Sequence, residues 1–483
     1  MKELFRFLGG VAGLAVKRLS RKKSAPSPPA KTINVDSDRV QAAPPALTLP
    51  KPPAAKRRKR ALVVGVDFGT STTKVVWNDA REDAFEVFRW NDSKGINSAL
   101  LPSTISIVDG LLYFGQQSAH ASARWIRSIK LCMLCARNNK ICQCQSDIAK
   151  NGLVRLSERT EQIPVDLLAA LFLAWVFRRV EESLAKRFAT EDLTIVWNVG
   201  CPMDHLDAAK SKEAWEQVVG TAMELRQNAS NPATLTALDQ AAKVFANLFV
   251  PFEAERNYAV QPEGLAAVKS FLESPRDAES SKCYAIVDVG AGTTEVSFFF
   301  NGLIMSEGGI TRPSYLSDST EAIGGGKIDT ELSKVWGCTP DEARTQKESG
   351  RKSLPNLDTI REITSQYHRT CMWILKESKL KAPSDKHFDL FVIGGSGRLA
   401  KLRAAVEGEP LAGGFRRDQT RVLKPPKSLR ARQEFAGDYD LLATACGLAS
   451  SPVGWEYYPR KDVKGMDAGV VRIRIDPDEW YPK

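Results

Sequence analysis

The sequence predicts an α/β protein built by internal duplication, with two similar lobes facing one another. Three stretches predict it. Leu62-Val63-Val64-Gly65 runs into Asp67-Phe68-Gly69-Thr70-Ser71-Thr72-Thr73-Lys74, and Val75-Val76-Trp77 leaves it. That is an apolar strand, a tight polar turn and a second apolar strand. The layout returns in Ala285-Ile286-Val287-Asp288-Val289-Gly290-Ala291-Gly292-Thr293-Thr294-Glu295-Val296-Ser297-Phe298. Further on, Phe391-Val392-Ile393 leads into Gly394-Gly395-Ser396-Gly397-Arg398, again a strand meeting a glycine-rich turn.

The turns carry a chemistry. Gly69 lets backbone approach a ligand closely. Threonine and serine hydroxyls with turn N–H groups suit phosphate oxygens, and Lys74 adds a positive charge. Asp67, just before its turn, suits a water bound to Mg²⁺, an ion that prefers one or two carboxylates plus waters and phosphate oxygens.

These segments resemble the two phosphate motifs and the adenosine motif of the actin, sugar-kinase and heat-shock-chaperone ATPase superfamily. The resemblance covers about residues 61–450 and leans towards the nucleotide-binding domain of heat shock protein 70. It implies a duplicated actin-like (ribonuclease H-like) fold, with lobe I over 61–260, lobe II over 261–450 and MgATP in the cleft; GTP stays open. It implies that Asp67 and Asp288 hold Mg²⁺ through water. It also implies that Gly69, Thr70, Ser71, Thr72, Thr73 and Lys74 face phosphate from one side, and Gly290, Gly292, Thr293 and Thr294 from the other. Gly324, Gly325 and Gly326, in Glu321-Ala322-Ile323-Gly324-Gly325-Gly326-Lys327-Ile328-Asp329, resemble a glycine turn of lobe II whose N–H groups face a phosphate. Gly394, Gly395, Ser396 and Arg398 would pack on the nucleoside. Phe249–Glu255 resembles a Glu-Pro element between the lobes, which makes Glu253 the third catalytic carboxylate beside Asp67 and Asp288, with Glu255 as the alternative. Two positions mix the branches of the superfamily. Lys74 matches a phosphate-contacting lysine of the actins, whereas Ala119 stands where the chaperones carry a lysine that positions the attacking water.

Charge is unevenly spread. The chain has a formal net charge of +11, yet residues 1–60 hold 15 Lys/Arg and 3 Asp/Glu, and the remainder holds 53 and 54. The basic character belongs to the N-terminal segment, and no specific nucleic-acid binding is expected of the folded body. Residues 1–23 read as a short basic amphipathic segment, too short to span a bilayer. It suits an anionic membrane surface or a docking contact with a partner. Residues 24–60 read as a Pro/Ala-rich linker ending in the basic run Lys56–Arg60. Residues 451–483 form a tail of 33 residues, into which the peptide-binding domain of a chaperone does not fit.

Nine cysteines, an odd number with five scattered singly, read as reduced thiols in a cytoplasmic setting. Cys132, Cys135, Cys142 and Cys144 cluster, and two readings stand for them: a Zn²⁺ site, or a loop of free thiols. Residues 164–190 read as a core helix and Thr194–Val199 as a buried strand.

The expected function is an ATP-binding, ATP-hydrolysing chaperone-like switch acting through a protein partner. An actin-like filament former and a non-hydrolysing scaffold are the alternatives. A small-molecule kinase would need a catalytic base poised at a substrate hydroxyl, for which no aspartate motif is found.

Overall fold

Runs of β-branched and aromatic residues build two mixed sheets in a computed structural model. It describes residues 58–79, 81–82, 84–115, 124–137, 152–155, 162–202, 209–248, 257–272, 282–305, 311–377, 387–410 and 416–450. The first sheet is formed by β1 (Arg58–Phe68), β2 (Thr72–Asp79), β3 (Ala84–Val87), β4 (Glu191–Cys201) and β5 (Tyr258–Pro262), in the order β5-β4-β1-β2-β3, with a sixth strand of two residues, Leu101–Pro102, pairing antiparallel with the start of β2. The second is formed by β6 (Lys282–Val289), β7 (Thr294–Met305), β8 (Thr311–Glu321), β9 (His387–Ile393) and β10 (Arg416–Arg421), in the order β8-β7-β6-β9-β10. The strand directions match as well. In each sheet the first strand pairs antiparallel with the second and parallel with the fourth. The second pairs antiparallel with the third, and the fourth parallel with the fifth.

Central strands are apolar on both faces because helices cover both sides. In β1, every residue from Leu62 to Phe68 is buried. The helix α2 (Val165–Arg187) is buried all round for its first thirteen residues apart from Asp166, and turns polar only near its end. It opens with Asp166 and closes with Lys186 and Arg187, as the helix dipole favours. A small antiparallel sheet inserted in the first half contains Ile105–Val108 and Leu111–Phe114. Asp109 and Gly110, both at positive φ, form the two-residue turn between them.

The two halves meet through two helices. After β5 the chain enters α3 (Glu263–Leu272); beyond the long helix α5 (Asp358–Glu377), its last described helix is α6 (Ala443–Ala449), buried at all seven positions. A side chain at Gly65 would overlap the backbone of α6, and one at Gly447 would overlap the backbone of Ala266 in α3. Glycine is required at both places because helix, helix and sheet touch backbone to backbone. An apolar cluster joins the halves here, combining Val76 and Phe85 with Phe271, Tyr284, Phe391 and Leu442. Arg127, which follows the strand Arg124–Ile126 of the inserted sheet, also reaches Asp341 of the second half in an exposed ion pair. Among the described residues no helix is long and apolar enough to cross a membrane. The segments 1–23 and 451–483 lie outside the described residues.

Candidate functional site

Three glycine turns converge where the sheets face each other. Each sits at the end of a central strand, so strand geometry sets its position and glycine sets its path. Across the β1–β2 hairpin, Asp67 is in register with Lys74, and the Lys74 ammonium donates to the Asp67 carboxylate at 2.7 Å. The Gly69 N–H donates to Asp67 O at 3.0 Å, and a Cβ at Gly69 would overlap Thr72 O. In the second turn the Gly290 N–H donates to Thr293 O at 2.9 Å. The two turns touch: a Cβ on Gly292 would lie 2.6 Å from Thr70 Oγ1. The third turn closes from the side. Gly394 has a φ of +82°, and a side chain there would overlap both Asp288 and the backbone of Val289.

Several residues expected to face phosphate are otherwise engaged. Thr73 is fully buried and shares a hydrogen bond with Ser103 at 2.9 Å. It lies on the opposite face of β2 from Lys74, as the two-residue period of a strand requires. Thr294 is also fully buried and donates to Ile323 O at 2.7 Å, which fixes the loop before α4 (Gly325–Trp336). The Gly325 and Gly326 N–H groups donate to Gly290 O and Ala291 O at 2.9 and 2.6 Å, so they brace the second turn instead of facing outward. Arg398 is held by Asp438 and Asp440, its Nε 2.9 Å from Asp440. Ser396 is buried against Gly325. Asp67, Gly69, Thr70, Ser71, Thr72, Lys74, Asp288, Gly290, Gly292, Thr293, Gly324 and Gly395 stay grouped at these three turns. Glu253, Glu255 and Ala119 lie outside the described residues.

The structure adds a pair that sequence reasoning missed. Lys130, in α1 (Ile129–Arg137), is 2% exposed, and its ammonium engages both carboxylate oxygens of Glu263, at 2.6 Å from Oε2. Burial works against that charge, but the Glu263 and Asp67 carboxylates overcome it and hold Lys130 above the usual lysine value. The available signal was Gln261-Pro262-Glu263-Gly264 after the apolar residues of β5, a Glu placed at a helix start. Nothing local marks Lys130, which lies 133 residues from its partner.

The cleft thus gathers three carboxylates (Asp67, Glu263, Asp288) and two ammonium groups (Lys74, Lys130). Asp67 pairs with Lys74 and Glu263 with Lys130, yet burial still holds the Glu263 carboxyl above its usual value, and Asp288 is raised as well. Burial pushes its carboxyl up to about 7 and the Asp67 charge adds to this, against the pull of Lys74. Such a carboxylate fits a nearby cation. Among the described residues no cluster of three or more His, Cys, Asp or Glu could hold a metal ion. A Mg²⁺ here would therefore be held mainly by waters and ligand oxygens, its ordinary habit. Cys132 packs in the core of the first half, 1% exposed. Cys142 and Cys144 lie outside the described residues, as does the Cys135 side chain.

The contact between the turns is testable. Gly292→Ala should cost about 1–3 kcal/mol through overpacking against Thr70. The double variant Thr70→Ala with Gly292→Ala should recover part of that loss in a denaturant-unfolding cycle. Strict additivity would mean that the turns do not touch.

No protein-family model matches this chain, and no curated protein matches it.

Proposed function

We propose that this chain is an ATP-binding and ATP-hydrolysing molecular switch of the actin-like, heat-shock-chaperone type, acting through a protein partner. The observation that carries the proposal is the matched pair of sheets. Five strands of each share one order and one set of directions, the first sheet adding only the two-residue strand Leu101–Pro102, and each ends its central strand in an Asp-Gly-Thr turn at the shared interface. A duplicated two-lobe ATPase is the simplest account of that correspondence.

In this reading the first turn and Lys74 bind β- and γ-phosphate oxygens from one side, and the Gly290–Thr293 turn binds them from the other. The turns touch, so a phosphate enters only when the lobes part about the α3–α6 crossing, a hinge motion. Lys74 and Lys130, each paired with a carboxylate, exchange those partners for phosphate oxygens. Asp67, Asp288 and Glu263 orient water. Asp288, with a pKa of about 7, can hold or release a proton at neutral pH. Mg²⁺, when bound, supplies charge neutralisation of the phosphates; positioning and charge do most of the work in phosphoryl transfer.

The test is MgATP binding and turnover by the full chain beside Asp288→Ala, with light scattering recorded together. Turnover that is lost in the variant, without a scattering rise, is expected. A nucleotide-dependent scattering rise would favour a filament former. Tight binding without turnover would favour a scaffold, and no nucleotide binding would overturn the proposal.

A further inference from the structure

Residues 422–442 leave the edge of the second sheet at β10, run along the edge of the first, and end at α6. Their backbone completes that edge. The Phe85 N–H of β3 donates to Ser428 O at 3.0 Å, and the Arg430 N–H donates to Phe85 O at 2.8 Å, an isolated parallel bridge. Side chains reinforce it. Arg430 pairs with Glu82 and Glu86. Glu434 accepts two bonds from Arg89, one at 2.7 Å, and a third from the Gly95 N–H at 2.8 Å. Further on, Asp438 and Asp440 grip Arg398 of the third glycine turn, and Leu441 lies beside Gly395.

Along this stretch the segment is anchored. Phe435 and Tyr439 are each 1% exposed and sit in the cluster that joins the halves. Tyr439 also bonds Ser270 of α3. Glu434 and Asp438 flank Phe435 closely, so a shift of Asp438 or Asp440 cannot be absorbed by slack chain; it must move Phe435 or strain the Arg89–Glu434 contact. Interiors packed this tightly switch between arrangements instead of deforming smoothly.

We propose that residues 422–442 are a coupling strap: a change at the Gly394–Arg398 turn is transmitted through Phe435 and Tyr439 to the Phe85–Gly95 edge of the first sheet. This goes beyond the nucleotide proposal and does not depend on it. The strap links the third glycine turn to an exposed edge, where residues 89–94 and Glu434 line an open cavity of about 580 Å³.

The test is amide hydrogen exchange on the full chain without nucleotide, which reports local opening directly. The variant Asp438→Asn with Asp440→Asn cuts the strap from Arg398. Exchange should quicken at least about 5-fold at Phe85 and Arg430, at the other end of the strap beyond the Arg89–Glu434 contact, with β6 and β9 unchanged. From the other end, Glu434→Gln should quicken exchange at residues 396–400, because coupling between two sites is reciprocal. Each variant gives an independent test if the other fails to fold. Changes confined to the neighbourhood of each substitution, or no change, would overturn the strap.

Discussion

Asp288→Asn should lower ATP turnover at least about 100-fold, the scale of one lost preorganised electrostatic contact, while raising thermal stability at pH 8. The second effect follows from linkage. An unfolded aspartate titrates near 3.9, and the folded Asp288 carboxyl is pushed up to about 7. The native state therefore holds this proton more tightly than the unfolded state does. Between about pH 4 and pH 7 the cost of ionising a buried carboxyl enters the native state, and the stability from this group falls as pH rises. Asparagine carries no such cost. The melting temperature of Asp288→Asn relative to the parent should thus rise between pH 5 and pH 8, then level off. A relative melting temperature that stays flat with pH would show that Asp288 ionises normally. Because this readout needs no ligand, it separates the electrostatics of the cleft from the proposed reaction.

Lys130→Met should destabilise the fold by about 3–5 kcal/mol, the usual cost of breaking a buried ion pair and leaving one charge behind. Glu263 would lose its cation while still facing Asp67 and Asp288. Lys130→Met combined with Glu263→Gln should be milder than Lys130→Met alone, since no unpaired charge remains. Urea unfolding of the four proteins gives the coupling energy. Equal losses in the single and double variants would mean that Lys130 acts by packing alone.

Much of this protein is written locally in its sequence. The hairpins at Asp67 and Asp288 were legible because apolar runs on both sides of a Gly/Thr turn leave a chain few other ways to bury them. The α2 helix was legible because its apolar residues continue far beyond strand length. Strand alternation also held the orientation of Thr73. It stands one residue from Lys74 and two from Val75, a position on the core face that the phosphate motif alone concealed.

The rest was decided by tertiary contact. Gly325 and Gly326 look identical in sequence whether their N–H groups meet a ligand or a neighbouring carbonyl; the approach of the second turn settled it. Arg398 belongs to a glycine motif, but Asp438 and Asp440, some forty residues later, claim its guanidinium. Lys130 carries no local mark, because the burial that makes it notable arises only when α1 packs on α2 and Glu263 reaches its ammonium. The strands, their turns and the repetition of one device are thus encoded in short stretches of chain. Which side chains face the cleft, and which cations balance its carboxylates, depended on contacts between distant elements. Those contacts are set by packing and charge neutralisation in three dimensions, and neither leaves a periodic trace along the chain.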